Sequence, residues 1–246
     1  MRLLTNLMLV ALLVALPSFA FAESININLG DAFAGGSVTG RVIQLVAIVT
    51  VITLAPSILV MVTSFTRIVI VLSFLRSAIG TQQTPPNQVL VSLALFLTAF
   101  IMAPTFEKSY NEGILPLINE DISEQQAVEK IAAPFHTFML RHVREKDLHL
   151  FLDMAPSLKV EKPEDTPYRV LIPAFMISEL KRAFEIGFLL FVPFLIIDML
   201  VASVLMAMGM MMLPPVLISL PFKLIFFVLV DGWYMVCGSL VKSFGG

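Results

Sequence analysis

The chain has 246 residues, of which 58% are hydrophobic and only 14% are charged, whereas about a quarter of the residues in soluble domains carry charge. This composition excludes an ordinary soluble domain and indicates an integral membrane protein. The net charge of −2 gives no sign of a nucleic-acid partner, and the single cysteine, Cys237, excludes an internal disulfide framework.

Residues 1–22 are typical of a secretory signal. Arg2 supplies the positive start, residues 7–16 form a short apolar run, and Ala20-Phe21-Ala22 is a small-residue cleavage site. Some ten apolar residues are too few to span a bilayer. We expect cleavage between Ala22 and Glu23, with residues 23–41 as an exported linker. The alternative is an uncleaved anchor.

Residues 42–106 predict a first apolar helical hairpin. Its first arm has 25 uncharged residues from 42 to 66, and the apolar run continues past Arg67 to residue 75. These 34 residues would form a helix of about 51 Å, longer than one bilayer core, so we expect a kink at Pro56 or a part outside the lipid. A Gly- and Pro-rich turn at 80–88 precedes the second arm.

Residues 107–182 predict a water-facing helical region, because they hold 10 of the 16 Lys and Arg and 13 of the 18 Asp and Glu. Ser123 with Gln126 resembles a capping box that opens a helix ending near Pro134, and a second helix is predicted over 135–155. Pro173 fits the first turn of a helix that continues towards Met208.

Residues 183–246 predict a second hairpin, interrupted by the sequence MGMMMLPP at 208–215. Its turn repeats the first one: Gly80-x4-Pro85-Pro86 corresponds to Gly209-x4-Pro214-Pro215. We therefore predict two hairpins in a parallel repeat; chance similarity between apolar helices is the alternative. With the N-terminus exported, both turns face the cytoplasm, and 107–182 and the C-terminus face the periplasm.

Five charged residues occur within apolar segments, where burial in lipid is costly. Asp198 and Lys223 lie 14 and 11 residues from the second turn, so they are predicted to form a salt bridge, and Arg67 is expected in the same layer. We interpret this layer as a set of structural charge pairs; an ion or proton site is the alternative. The five residues are Arg67, Glu185, Asp198, Lys223 and Asp231.

The sequence contains no nucleophile elbow, phosphate-binding glycine loop or zinc-protease motif. His136, His142 and His149 allow a metal hypothesis, but they lie in a charged, amphipathic stretch where solvated or capping histidines are commoner. We therefore expect no enzyme, no cofactor and no metal site.

Several long stretches resemble the FliP family of flagellar biosynthesis proteins: SFTRIVIVLSFLRSAIGTQQTPPNQVL, PAFMISELKRAFEIGF, PFLIIDMLVASVLMAMGMMMLPP and PFKLIFFVLVDGW. The resemblance covers most of residues 42–244. It implies a subunit of the type III export gate in the inner membrane. Five copies would form a homopentamer that assembles with FliQ and FliR, among other export-apparatus membrane proteins. The resulting ring would surround a pore for unfolded flagellar subunits. The resemblance also implies charges that pair between subunits, with Glu179 and Lys223 as one such contact, which could form a network with the pairing of Asp198 and Lys223.

Given this resemblance, we interpret Met210, Met211 and Met212 as a pore gate. Met packs against many shapes, so a ring of Met side chains would seal the pore yet yield to a polypeptide. Gly209, Pro214 and Pro215 would hold the gate loop. The alternative is that the methionines only fill space. A secondary transporter or ion channel using Arg67, Asp198 and Lys223, and an inert scaffold, are the alternative functions.

Overall fold

The computed structural model describes residues 38–81, 83–155, 158, 160, 162–210 and 213–245, and within these ranges the chain is all-helical with no strand. The predicted signal peptide, its cleavage between Ala22 and Glu23, and residues 23–37 of the predicted linker lie outside the described residues. The chain divides into two compact units, Met1–Ile52 and Thr53–Gly246.

The first arm is divided between two helices, α1 (Val38–Met61) and α2 (Phe65–Ile79). The prediction of one continuous element over 42–75 is therefore wrong. The interruption falls at Thr63, because the hydroxyls of Thr63 and Thr66 both donate to the carbonyl of Val60, each at 3.4 Å. Such hydroxyls compete with the helical backbone for its hydrogen bonds.

After the turn that follows α2, α3 (Asn87–Ser109) passes through a π-helical turn (Tyr110–Ile114) into the short α4 (Leu115–Ile118). Together they form a stretch of 32 residues that is long and apolar enough to cross a membrane. α2, with 15 residues, is about 22 Å long and shorter than a bilayer core.

The polar region contains α5 (Glu124–His142), α6 (Glu145–Asp153) and a 3₁₀ turn (Pro163–Asp165). The predicted capping box is confirmed, with Ser123 and Gln126 each bonding the other's backbone N–H.

The predicted helix end near Pro134 is wrong, because α5 continues to His142. Proline removes one backbone donor from a helix, but the second half of α5 packs into an apolar cluster with α7, and this packing outweighs the loss. The predicted helix over 135–155 is instead broken at Val143 and Arg144, where the backbone is extended and the Arg144 N–H donates to the Ser178 hydroxyl at 3.0 Å.

The longest helix, α7, extends from Tyr168 to Ala207, 40 residues that are also long and apolar enough to cross a membrane. It begins after Pro167, a turn earlier than predicted, so Pro173 lies inside it.

α8 (Pro215–Leu229) and α9 (Gly232–Lys242) follow, bent by 62° at a break where Asp231 adopts a positive φ of 49°. Among the described residues, the candidate membrane spans thus number two, or three if this bent pair counts as one. The sequence predicts four apolar segments; α2 is too short to be a span by itself.

The core of the second unit surrounds α2, which packs mainly against α7 and also contacts α3 and α8. The buried positions of α2 follow the three- and four-residue spacing of one helix face, and they are Ile68, Val71, Leu72, Leu75 and Ile79. A second apolar cluster joins α5 to the start of α7 around Met139, Leu171 and Phe175. These two clusters position the first part and the middle of α7.

Candidate functional site: the methionine turn and the buried ion pairs

The methionine-rich turn begins with a regular helix end. Gly209 has a φ of 75°, its N–H donates to Met206 O at 3.1 Å, and the Met210 N–H donates to Leu205 O at 3.0 Å. These two bonds are the Schellman pattern, which satisfies the last carbonyls of α7 and favours glycine at the left-handed position. Pro215 then occupies the first turn of α8, where its missing N–H costs nothing. The backbone of this turn is therefore well determined at both ends.

The side chains of this turn are exposed. Met208 is 62% exposed and Met210 is 43% exposed, and a Cβ placed on Gly209 would find no atom within 4 Å. Met211 and Met212, the other two members of the predicted gate, lie outside the described residues. The chain's own packing thus leaves the described methionines of the turn uncovered.

The first turn begins in the same way, but its first residue, Gly80, is covered. Gly80 has a φ of 88° and its N–H donates to Arg76 O and Ser77 O. A Cβ on Gly80 would lie 3.5 Å from a methyl of Leu220 and 3.9 Å from the ammonium nitrogen of Lys223. The start of the first turn is thus packed against α8.

Lys223 connects this turn to α7. Its Nζ lies 2.6 Å from Asp198 Oδ2 and donates to Ala78 O at 3.2 Å, and the Ser219 hydroxyl donates to Asp198 Oδ1 at 2.5 Å. The salt bridge expected from the positions of Asp198 and Lys223 is present. Ser219 was not predicted, although it lies four residues before Lys223 and therefore on the same helix face.

Arg67 and Glu179 form a second, fully buried pair. Arg67 Nε donates to Glu179 Oε2 at 2.8 Å and Nη2 to Oε1 at 2.5 Å, with side-chain exposures of 1% and 0%. This is the two-bond geometry that makes arginine–carboxylate pairs strong. Arg67 also donates to the carbonyl and hydroxyl of Ser243, and its guanidinium lies 3.7 Å from the ring centre of Phe244.

These partners correct one expectation. Arg67 does not share the layer of Lys223: the latter bonds Ala78, which lies 11 residues further along α2, about 16 Å away. Within the described chain Glu179 bonds Arg67, whereas Lys223 bonds Asp198. The contact between Glu179 and Lys223 that the family resemblance implies is one between subunits, and it stays a prediction.

A family model described as the FliP family matches residues 48–240. The chain belongs to the FliP family. A protein from Caulobacter vibrioides named flagellar biosynthetic protein FliP is 61% identical over 230 residues, which are 93% of this chain and 85% of the relative. Proteins of the same name from Agrobacterium fabrum and Bacillus subtilis are 51% and 57% identical over 97% and 82% of this chain, and over 98% and 91% of their own lengths.

The other two charges within apolar segments of this FliP-family chain are exposed. Glu185 pairs with Lys181 at 2.9 Å on the surface of α7. Asp231 occupies the break between α8 and α9, and its side chain makes no cap bond to α9. Neither residue contributes to the two buried pairs.

The polar region of the FliP-family chain has its own charged cluster, which the sequence did not predict. Asp147 accepts hydrogen bonds from Ser178 at 2.6 Å and from Arg144 at 2.7 and 2.9 Å. Burial opposes ionisation of Asp147, but the bonds from Ser178 and Arg144 and the arginine charge outweigh it and lower its pKa. The cluster fixes α6 against α7 just after the helix break.

Two of the three histidines have backbone partners. His136 Nε2 lies 2.7 Å from Thr166 O, and His142 lies within reach of the carbonyls of Phe138 and Phe244. Within the described residues no group of three or more His, Cys, Asp and Glu side chains could hold a metal ion.

Proposed function

We propose that this chain is a core subunit of the flagellar type III export gate and lines the pore through which unfolded flagellar subunits cross the inner membrane. Membership in the FliP family supports it, since the relatives are named flagellar biosynthetic proteins. The observation that carries the proposal is the exposed methionine turn, held by a defined backbone at the end of a 40-residue helix.

The gate is formed by Met210, Met211 and Met212 from several copies of the chain. Gly209 and Pro214-Pro215 fix the ends of the loop, and the described Met210 is presented with 43% of its surface exposed. An apolar constriction excludes hydrated ions, and unbranched thioether side chains can adapt to any passing sequence. Non-helical backbone at membrane depth is tolerated where it lines a cavity.

The chain assembles as a homopentamer with FliQ and FliR, and with other export-apparatus membrane proteins nearby. Large apolar side chains point outward on several helices, and some of them require cover from lipid or from other subunits. Prominent examples, each at least two-thirds exposed, are Phe96 and Phe100 on α3, Phe188 and Leu189 on α7, and Val228 and Leu229 on α8. The two hairpins in parallel repeat are part of the same proposal, supported by the contacts of α2 with α3 and of α7 with α8.

The membrane position follows from the charges on α7. Residues 186–207 contain 22 residues with Asp198 as the one charge, and they form a helix of about 33 Å, close to the thickness of a bilayer core. The polar region 107–182 then lies on one side of the inner membrane and the methionine turn near the other. If the predicted signal peptide exports the N-terminus, the polar region lies in the periplasm.

The test is ion leak through assembled complexes. Changing Met210, Met211 and Met212 together to Ala removes most of the side-chain volume at one level of the pore, so the closed pore wets and conducts ions. We expect assembly with FliQ and FliR to be retained, together with a clear increase in ion leak in cells. Leak equal to wild type, with assembly confirmed, would return the methionines to the role of filler.

A matched control removes three methionines elsewhere. Met154, Met199 and Met235 are exposed at positions outside the turn, and changing all three to Ala removes the same volume elsewhere in the chain. This control should show wild-type leak. A control that leaks as much as the gate variant would mean that the leak reports general damage to the assembly.

The proposed role in export needs its own measurement. Expressed in a motile host that lacks its own family member, this chain should restore secretion of flagellar subunits into the medium. A purified monomer that binds a small solute would instead favour the secondary transporter. The structure gives that alternative no single site, since Arg67 lies about 16 Å along α2 from the level of Asp198 and Lys223.

A further inference from the structure

Residues 243–245 follow α9 and are held by a buried cluster of Arg67, Phe138 and His142 around Phe244, which we call the node. Phe244 is 5% exposed and packs against Phe138 of α5 with ring centres 6.0 Å apart, while Arg67 of α2 lies over its ring and bonds Ser243. His142, at the end of α5, contacts the same residue, with its Nε2 3.4 Å from Phe244 O. We call these contacts of residues 243–245 the C-terminal latch.

A neutral His142 cannot donate a hydrogen bond to each of the two carbonyls that face its ring nitrogens. Its Nδ1 lies 2.8 Å from Phe138 O and its Nε2 faces Phe244 O, and both carbonyls can only accept hydrogen bonds. A neutral imidazole has a single N–H. The shorter distance assigns it to Phe138, so the lone pair of Nε2 faces the lone pairs of the Phe244 carbonyl.

Protonation of His142 would supply the second N–H but would add a cation to an already cationic site. The imidazole lies 5.2 Å from the Phe244 ring, ring centre to ring centre, and the Arg67 guanidinium lies over that same ring. Charged groups face this site from every side: Arg67 from α2; Glu179 and Arg182 from α7; Arg141 from α5 itself; and Lys108 and Glu112 across a cavity of about 350 Å³ that His142 also lines.

The carboxylate of Glu179 is already committed to Arg67, so it is not available to His142. The cavity leads to exposed residues such as Glu112, which gives solvent protons a route to the imidazole.

We propose that acidification releases the C-terminal latch through protonation of His142. In the closed node the imidazolium would be buried beside Arg67, whereas in the released state it would be hydrated and distant from that charge. Burial, together with the charges of Arg67 and Arg182, outweighs the bonds to the two carbonyls and lowers the pKa of His142, so the closed node disfavours the proton. If the polar region faces the periplasm, as proposed above, the latch senses the pH outside the cell.

The direction and size of the pH effect on the opening of the latch follow from proton linkage. The released state binds the proton with an ordinary histidine pKa of about 6.5, and the closed state with a lower one. Between these two values one extra proton is bound on opening, so the opening equilibrium rises by up to about tenfold for each pH unit of acidification. Above both values the latch stays closed and insensitive to pH.

The experiment is backbone hydrogen exchange of the full chain in detergent, followed on peptides that contain residues 243–245 and expressed as protection factors to remove the intrinsic pH dependence. Between about pH 7.5 and about pH 5 we expect protection to fall by up to about tenfold per unit below about pH 6.5 in the wild type. His142→Gln should abolish this pH dependence, and His149→Gln should retain it. Wild-type protection that does not change over this range, or the same fall in His142→Gln, would overturn the proposal.

A second measurement uses only the wild-type chain, so it does not depend on whether a variant folds. With ¹³C-labelled histidine in the wild-type chain, the imidazole signal of His142 should titrate with the same midpoint as the loss of protection at the C-terminus. A His142 signal that does not change while protection falls would contradict the proposal, and so would titration without any loss of protection. Neither outcome depends on whether the chain acts as an export gate.

Discussion

The two turns of this chain start with the same local structure and differ in what covers them. Gly80 and Gly209 both end a helix at a positive φ, and a proline pair precedes the next helix in each case. A Cβ placed on Gly80 would be in contact range of Leu220 and Lys223, whereas a Cβ on Gly209 would meet no atom within 4 Å. Met210, beside Gly209, is 43% exposed.

This difference separates two uses of one motif. The first turn is a structural element. It is attached to α8 because the ammonium group of Lys223 donates to the carbonyl of Ala78 at the end of α2, just before the turn. In the second turn the described side chains of Met208 and Met210 are exposed, so they are available to other molecules. A loop that makes few contacts within its own chain can change its side chains at little cost in stability, and this suits a surface that has to contact variable polypeptides.

The attachment of the first turn gives the largest expected effect. Asp198→Ala would strand the ammonium of Lys223, whose side chain is only 4% exposed, and should lower the free energy of unfolding by about 3–5 kcal/mol. Lys223→Met should cost less, because the Asp198 side chain it leaves behind is 28% exposed and still bonded by Ser219. Denaturant titration of the detergent-solubilised chain measures both.

The exposed pair of Lys181 and Glu185 provides the control: Lys181→Ala should cost less than about 1 kcal/mol. Charge exchange tests the partner assignment. Lys223→Glu should be partly rescued by Asp198→Lys, and it should not be rescued by Glu179→Lys, since Glu179 belongs to Arg67. Rescue by the Glu179 exchange alone would show that the pairing within one chain is not the one that matters in the assembly.

A smaller effect is expected at the glycines themselves. Gly209→Ala would place a side chain in the left-handed region and should cost about 1–2 kcal/mol, although the new methyl group meets nothing. Gly80→Ala should cost a similar amount, since its nearest neighbours lie at ordinary contact distances.

The matched control for both glycines is Gly238→Ala in α9, which also meets no atom within 4 Å but has helical φ. It should stabilise the chain by about 0.5–1 kcal/mol, because alanine is the better helix former. Equal effects of the Gly209 and Gly238 substitutions would show that the second turn is not held in the left-handed conformation.

The smallest effect is expected at Met210. Because its side chain is largely uncovered within the chain, Met210→Ala should change the free energy of unfolding by no more than about 0.5 kcal/mol. Met139→Ala, at a fully buried methionine between α5 and α7, should cost about 2–5 kcal/mol. A large loss at Met210 in the isolated chain would mean that the turn packs onto its own chain and is not free for a pore.

The sequence predicted those features that depend on spacing along one helix or on local capping. The capping box at Ser123 and the two Gly- and Pro-containing turns are local, and the pairing of Asp198 with Lys223 needs only their distances from a common turn. The apolar character of α7 and its continuation towards Met208 were likewise visible in its composition.

The remaining features depend on packing between distant segments. Arg67 bonds Glu179, which is 112 residues away in the sequence. No pattern in either segment predicts how far α2 is shifted along the axis of α7, and this shift decides which residues meet. Pro134 predicts a helix end because proline disfavours helix interiors, yet the apolar contacts of α5 with α7 maintain the helix there. The break at Thr63 has no signal in the apolar pattern, because its competing hydroxyls lie in a strongly apolar run.

The length of α7 gives it the properties of a lever arm. Its 40 residues extend for about 60 Å as one helix, with the Asp147 and Glu179 contacts near its first end and the methionine turn at its other end. A tilt of about 5° about the Glu179 contact would displace the far end, about 42 Å further along the helix, by about 4 Å. In the proposed ring of several copies, small changes in the angle at which the polar region holds this helix would therefore be magnified at the distant turn.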